Sequence, residues 1–336
     1  MDAILKSFLD SVSYHTGFIH GSMEVIPLFS SLQEGLEYSM LGKALSENTL
    51  VITEVSESGS VPRLKVINGG RFPVLLLDGE ELAGAKQNRV LNTSILVPAG
   101  AELVVPVSCT EQGRWTYQSP VFTDSRVMME HVIRQKKMAS VSHSLRSHAS
   151  RAADQVEIWD GISHMSARAR VHSRTRAMRD IYESSRGRVD EYQKAFPLQP
   201  GQSGILVFLD NQVAGCEFIS RPDAYAQVHE KLISSYALEA ALGEERAGLC
   251  HEDLEEADRF LAMVSACRKE AYPGAGLGTE YRLEGAGLVG SALVHDGEVI
   301  HLALFSAADP VQDPGEVPGG QRHAARFRTP HNRRRP

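Results

Sequence analysis

The sequence predicts an α+β protein: an N-terminal antiparallel β-sandwich-like region, a central helical insert, and a C-terminal α+β region of hairpins and two helices. Three observations carry this. Short β-branched runs separated by turn residues fill the stretch from Met23 to Trp115, the spacing of an antiparallel sandwich or barrel. Residues 125–196 are rich in Ala, Ser, Arg, Met and His, with Gly161 and Gly187 as their only glycines and no proline. Beyond Pro197, two turn-centred apolar pairs bracket a stretch with helical periodicity.

In chain order, residues 1–20 form an N-terminal segment whose first ten residues space Ile4, Leu5, Phe8 and Leu9 as an amphipathic helix. Its acids stand where a signal peptide would be basic. Residues 21–122 form the antiparallel β region, with runs at Glu24–Leu28, Thr49–Val55, Pro62–Ile67, Val74–Leu77, Arg89–Val97 and Glu102–Cys109. Asn68-Gly69-Gly70 and Asp78-Gly79 tolerate the positive φ that tight turns need. A short helix at Leu41–Leu45 follows Ser39 as its cap. Residues 123–197 are the helical insert. Residues 198–308 begin with a hairpin, Ile205–Leu209 and Val213–Ile219, around Asp210-Asn211. Two helices follow, Pro222–Leu242 and His251–Tyr272, the first with a core stripe of Val228, Leu232, Ile233 and Tyr236. A second hairpin, Gly287–Val294 and Glu298–Phe305, turns at Asp296-Gly297. Residues 309–336, rich in Pro, Gly and Arg, are expected to be a disordered tail.

Composition bounds the function. The 336 residues carry a net charge of −7, and the tail's six arginines against three acids leave residues 1–308 at −10. So acidic a body disfavours nucleic acid as a partner. The longest apolar stretch, Ile95–Cys109, contains two prolines and Glu102 and is too short to cross a bilayer as a helix. A cytoplasmic protein with no membrane partner is expected. Four cysteines without a CxxC pair, and histidines 143, 148, 164 and 172 without helical i, i+4 spacing, give no metal set, and no cofactor is expected. No GxSxG elbow, Walker loop or kinase set occurs. Between Arg134 and Asp190 the insert carries twelve basic residues against six acids, either a solvated helical face or a surface for an anionic ligand or a protein partner.

The densest polar cluster, Gly79 to Arg89, lies between two apolar runs that a four-residue connection could join. Antiparallel pairing of the run Arg89–Val97 with the next run, Glu102–Cys109, would bring Arg89 and Cys109 to the same end of the sheet. There Lys86, Arg89 and Arg114 would hold phosphate, Gln87 and Asn88 would read polar edges, Trp115 would stack a base, and Glu111 and Gln112 complete the ligand-binding set. That set suits a nucleotide or a nucleotide-derived sugar. Glu80 or Glu81 would supply a general base, and Cys109 a nucleophile if neighbouring cations lowered its pKa. The same Arg and Glu residues would also serve as strand-to-strand bridges, and the thiol as core packing. Gly274-Ala275-Gly276-Leu277-Gly278 resembles a phosphate loop, but a helix is expected before it rather than after it, so Pro273-Gly274 is expected to be a helix stop.

The blocks Leu75-Leu76-Leu77-Asp78-Gly79-Glu80-Glu81-Leu82, Gly84-Ala85-Lys86-Gln87-Asn88-Arg89, Val105-Pro106-Val107-Ser108-Cys109 and Glu111-Gln112-Gly113-Arg114-Trp115 resemble the ARPP-1 domain, associated with ADP-ribosylglycohydrolase and rhodanese-phosphatase proteins. The resemblance extends from about Gly17 to Phe305 and implies ADP-ribose or NAD-related metabolism, or a prokaryotic conflict system, without implying a reaction. A hydrolase or transferase acting on such a ligand, and a non-enzymatic scaffold, are the alternatives to a ligand-binding module.

Overall fold

The computed structural model describes residues 2–32, 35–56, 59–243 and 254–307. The tail beyond residue 308 and the Cys250-His251 pair lie outside them. Helix α1 (Asp2–Ser11) leads into β1 (Val12–Tyr14), β2 (Phe18–His20) and β3 (Met23–Ser30). After β4 (Ser39–Met40) and α2 (Leu41–Ser46) come β5 (Leu50–Glu54), β6 (Arg63–Asn68), β7 (Val74–Leu76), β8 (Glu80–Gly84), β9 (Arg89–Leu91), β10 (Ile95–Val97), β11 (Glu102–Cys109) and β12 (Phe122–Met128). Helices α3 (His131–His148), α4 (Gln155–Ala169) and α5 (Met178–Ala195) follow. The remainder is β13 (Gly204–Leu209), β14 (Gln212–Ile219), α6 (Pro222–Ala226), α7 (His229–Leu242), α8 (Glu255–Ala266), β15 (Arg268–Pro273), β16 (Thr279–Gly285), β17 (Leu288–His295) and β18 (Glu298–Ser306). The α+β class is the one the sequence predicts.

A nine-stranded antiparallel sheet runs β1-β3-β13-β14-β18-β17-β16-β15, with β2 also on β3. One face is covered by α1 and α8, through Leu5, Phe8, Phe260 and Val264 against Leu206, Phe218 and Leu302. The other packs on α3 to α7. A six-stranded sheet, β12-β8-β9-β11-β6-β5, and a three-stranded one, β10-β7-β4, close around a third apolar cluster that includes Leu64, Leu76, Leu91 and Val107. Both turn pairs expected as hairpins form, with Asp210 and Asn211 at φ 48° and 65° and Asp296 at φ 49°.

Several expectations need correction. The Glu80-centred polar cluster is not a loop: Glu80–Gly84 is β8, paired to β12 and β9, and Glu80 and Glu81 are tolerated inside because Lys231 and Thr110 bond them. The run Arg89–Val97 is two strands in different sheets. It breaks at Asn92-Thr93-Ser94, whose side chains bond Arg151 O, Glu280 and the Asp78 amide instead of lining a pleat. The helical insert is preceded by β12, whose bulge places Arg126 at φ 62°. Ser39 does not cap α2: it lies in β4, and Met40 is the N-cap residue. The expected single helix at Pro222–Leu242 is divided into α6 and α7. The expected helix ending at Tyr272 stops at Ala266, and Arg268–Pro273 is a strand, so Gly274–Gly278 joins two strands of a hairpin.

The two β units are clamped by buried charge. Lys137 of α3 donates to Asp78 Oδ2 at 2.6 Å and Arg134 pairs with Glu217 of β14, all four side chains inaccessible to solvent. Thr93 donates to Glu280 of β16 at 2.5 Å. Among the described residues no helix is long and apolar enough to cross a membrane.

Candidate functional site

Strand alternation builds the site. β9 and β11 pair antiparallel with Arg89 opposite Cys109 and Leu91 opposite Val107, and Leu82 of β8 faces Arg89. These side chains share the face turned into the third apolar cluster. On β5 the inward row is Leu50, Ile52 and Glu54. The apolar rows therefore end in Arg89, Cys109 and Glu54, all buried.

The turn between β8 and β9 supplies the next layer. Arg89 Nη1 donates to Gln87 Oε1 at 2.9 Å, while Nε and Nη2, equally buried, have no hydrogen-bond partner among the described residues. Its guanidinium lies 5.7 Å from the Trp115 ring centre. Lys86 Nζ lies 5.4 Å from Trp115 and 4.9 Å from Tyr117, within cation–π range. The Cys109 thiol donates to Gln87 Oε1 at 3.3 Å and to Glu111 O at 3.2 Å. Gln155 of α4 holds the Cys109 backbone at both its N–H and its carbonyl, at 2.7 and 2.9 Å.

Arg114 clamps this turn. Its nitrogens donate to Glu111 Oε2 at 2.8 Å, Ala85 O at 2.8 Å, Thr116 O at 3.1 Å and Asn88 Oδ1 at 3.1 Å. Burial alone would raise the Glu111 carboxyl, but Arg114 and neighbouring donors hold it below the usual range. Burial pushes the Cys109 thiol up and the Arg89 guanidinium down, so at neutral pH Cys109 is a protonated donor rather than a thiolate.

Lys86, Gln87, Asn88, Arg89, Cys109, Glu111, Arg114 and Trp115 thus converge. Gln112 stands at the margin, where its amide oxygen accepts from Arg176 at 2.9 Å. Glu80 and Glu81 do not join them. Glu80 accepts from Lys231 Nζ at 2.8 Å and from Leu77 N at 2.9 Å. Glu81, on the opposite face of β8 from Leu82, accepts from Thr110 Oγ1 at 2.6 Å. Burial pushes Glu81 up to about 7. Lys231, the partner of Glu80, lines a cavity of about 650 Å³ between β12, α5 and α7 together with Asp124, Ser125, Arg179 and Arg186, whereas Glu80 and Glu81 are fully buried and outside that lining. Two site residues escaped the sequence reading. Glu54 was legible as an acid in an otherwise apolar inward row, whereas nothing local points Gln155 at Cys109.

A family model, that of the ARG and Rhodanese-Phosphatase-superfamily-associated Protein domain, ARPP-1, matches residues 11–305. The chain belongs to the ARPP-1 family. The ARPP-1 match takes in both β units, the three-helix segment and every residue of the site above. Neither a curated protein nor a solved structure matches the chain.

Proposed function

We propose that this ARPP-1 protein is a cytosolic module that binds a small anionic ligand of the nucleotide or ADP-ribose class at the Arg89 end of the smaller β unit. The observation that carries the reading is the Arg89 guanidinium, wholly buried yet with Nε and Nη2 unbonded. A buried donor without a partner is costly, and a planar fork of donors suits phosphate. Lys86 adds positive charge alongside, and Trp115, 46% exposed, offers a ring to a base. Arg114, Glu111, Asn88 and Gln87 shape the turn that carries them.

The test is a thermal-shift panel of ADP-ribose, NAD, AMP and phosphate on wild type, Arg89→Ala and Trp115→Ala, with mass analysis of every positive. A shift lost in Arg89→Ala supports the site. Binding that survives both substitutions would show the site to be wrong, and no shift with any compound would favour a scaffold whose partner docks on α3 to α5.

A second reading, a hydrolase or transferase, has one observation in its favour. Glu81, with its carboxyl raised to about 7, is matched to proton transfer at neutral pH, and Ser125 and Arg179, which act on that carboxyl, line the cavity. Full turnover in Glu81→Gln of any compound shown to react would eliminate it as the base.

A further inference from the structure

Glu54 is the charged group that the binding reading leaves without a task. It closes the inward row of β5, is 8% exposed, and neither carboxylate oxygen has a hydrogen-bond partner among the described residues. Arg89 has two nitrogens in the same condition, and the Glu54 charge acts on its guanidinium without a direct bond joining the two. Gly59, at φ +77°, brings its backbone so close that an added Cβ would stand 3.5 Å from Glu54 Oε2 and 3.2 Å from Lys86 Cδ.

A carboxylate and a guanidinium buried together yet each incompletely bonded are expensive. The arrangement becomes favourable when a third molecule offers acceptors to Arg89 and donors to Glu54. Bare phosphate offers mostly acceptors and would complete Arg89 alone. A sugar phosphate offers both, and a carboxylate accepting from ribose hydroxyls is a known way of reading a nucleotide sugar.

We propose that Glu54 is the hydroxyl-reading residue of this site, which makes its ligand a phosphorylated ribose rather than a deoxyribose phosphate or inorganic phosphate. The proposal rests on the binding role assigned to Arg89 above.

The experiment is calorimetric titration of the full chain with ribose 5-phosphate, 2-deoxyribose 5-phosphate and inorganic phosphate, using wild type, Glu54→Gln and Arg89→Met. Wild type should bind ribose 5-phosphate about tenfold or more tightly than the deoxy analogue, because a site built to bond a hydroxyl rejects a ligand lacking it. In Glu54→Gln that ratio should fall to about twofold or less, with phosphate affinity unchanged. Arg89→Met should lose all three. Unliganded Glu54→Gln should melt no lower than wild type, since it removes a buried charge that no protein group bonds, whereas a structural acid would give a clear drop.

Equal affinity of wild type for the two sugars, discrimination that persists in Glu54→Gln, or a drop in its melting temperature would each overturn the assignment. Phosphate binding that depends on Arg89 without sugar discrimination would overturn the Glu54 role alone. Binding of none of the three compounds, or undiminished binding by Arg89→Met, would overturn the site as well.

Discussion

Two arginines of one turn have opposite jobs, and stability separates them. Arg114 is bonded through Nε, Nη1 and Nη2 and is paired with Glu111, with both side chains only 6% exposed. Arg114→Ala strands that carboxylate and should cost about 3–5 kcal/mol. Among the described residues two Arg89 nitrogens bond nothing, but its charge acts on buried Glu54 and Nη1 bonds Gln87. Arg89→Met should therefore cost less than Arg114→Ala, about 1–3 kcal/mol, and denaturant unfolding of both variants checks the contrast. Glu81 makes a pH prediction. Burial raises its carboxyl to about 7 in the fold, against 4.5 for a solvent-exposed glutamate. Below the lower value both states are protonated, and between the two only the folded state keeps the proton. Stability therefore falls as pH rises from about 4.5 to 7 and is flat above, a loss of about 3 kcal/mol. Glu81→Gln should lack that slope and exceed wild type above pH 8, as paired urea titrations across the range would reveal. At this scale the sequence showed which residue types gather but not which way they point. Glu80 and Glu81 adjoin the binding turn in sequence, yet the pleat of β8 turns Glu81 to Thr110 on the far face, and Lys231 holds Glu80 at the end of the strand away from the turn.

Elements with strong local signals were legible, among them α1, both Asp-centred hairpins, and the antiparallel neighbours β9 and β11 that set Arg89 against Cys109. Those that failed were decided by distant partners. Asn92-Thr93-Ser94 ends β9 because its side chains reach α3's follow-on loop, β16 and the β7–β8 turn, none of which is visible in a nine-residue window. Arg268–Pro273 extends the periodicity of α8 on paper, but pairing with β16 makes it a strand. The glycine run after it is consequently a hairpin loop that docks on β10, where Leu277 N donates to Leu96 O at 2.8 Å. A Cβ at Gly276 would collide with that same carbonyl oxygen. Gly276→Ala should cost about 1–3 kcal/mol by overpacking while phosphate affinity stays at the wild-type value. Loss of phosphate binding at unchanged stability would instead make the run a ligand loop.

For the molecule as a whole, the decisive pairing is β3 with β13, Met23 opposite Leu209 and Leu28 opposite Gly204. Nothing within residues 23–30 names a partner so far along the chain, and the β-branched run at Glu24–Leu28 fitted a local sandwich equally well. The consequence is that the nine-stranded sheet is assembled from both ends of the chain, with the smaller β unit and the helices between them in sequence. The buried charges bind these parts in a way apolar contact alone would not. Asp78 belongs to the smaller unit, Lys137 and Arg134 to α3, and Glu217 to the large sheet. Unfolding either β unit would leave the partners of these ions buried or newly unpaired, a cost of several kcal/mol that falls on the other unit. Denaturation should therefore be one cooperative transition, with tryptophan fluorescence, from Trp115 beside the site and Trp159 in α4, and far-ultraviolet circular dichroism giving coincident curves. Residues 21–122 expressed alone should not fold, because β3 would lack β13 and Asp78 would lack Lys137. Two separated transitions, or a folded 21–122 fragment, would show that the smaller β unit carries its own stability and that the ionic clamp is dispensable to it.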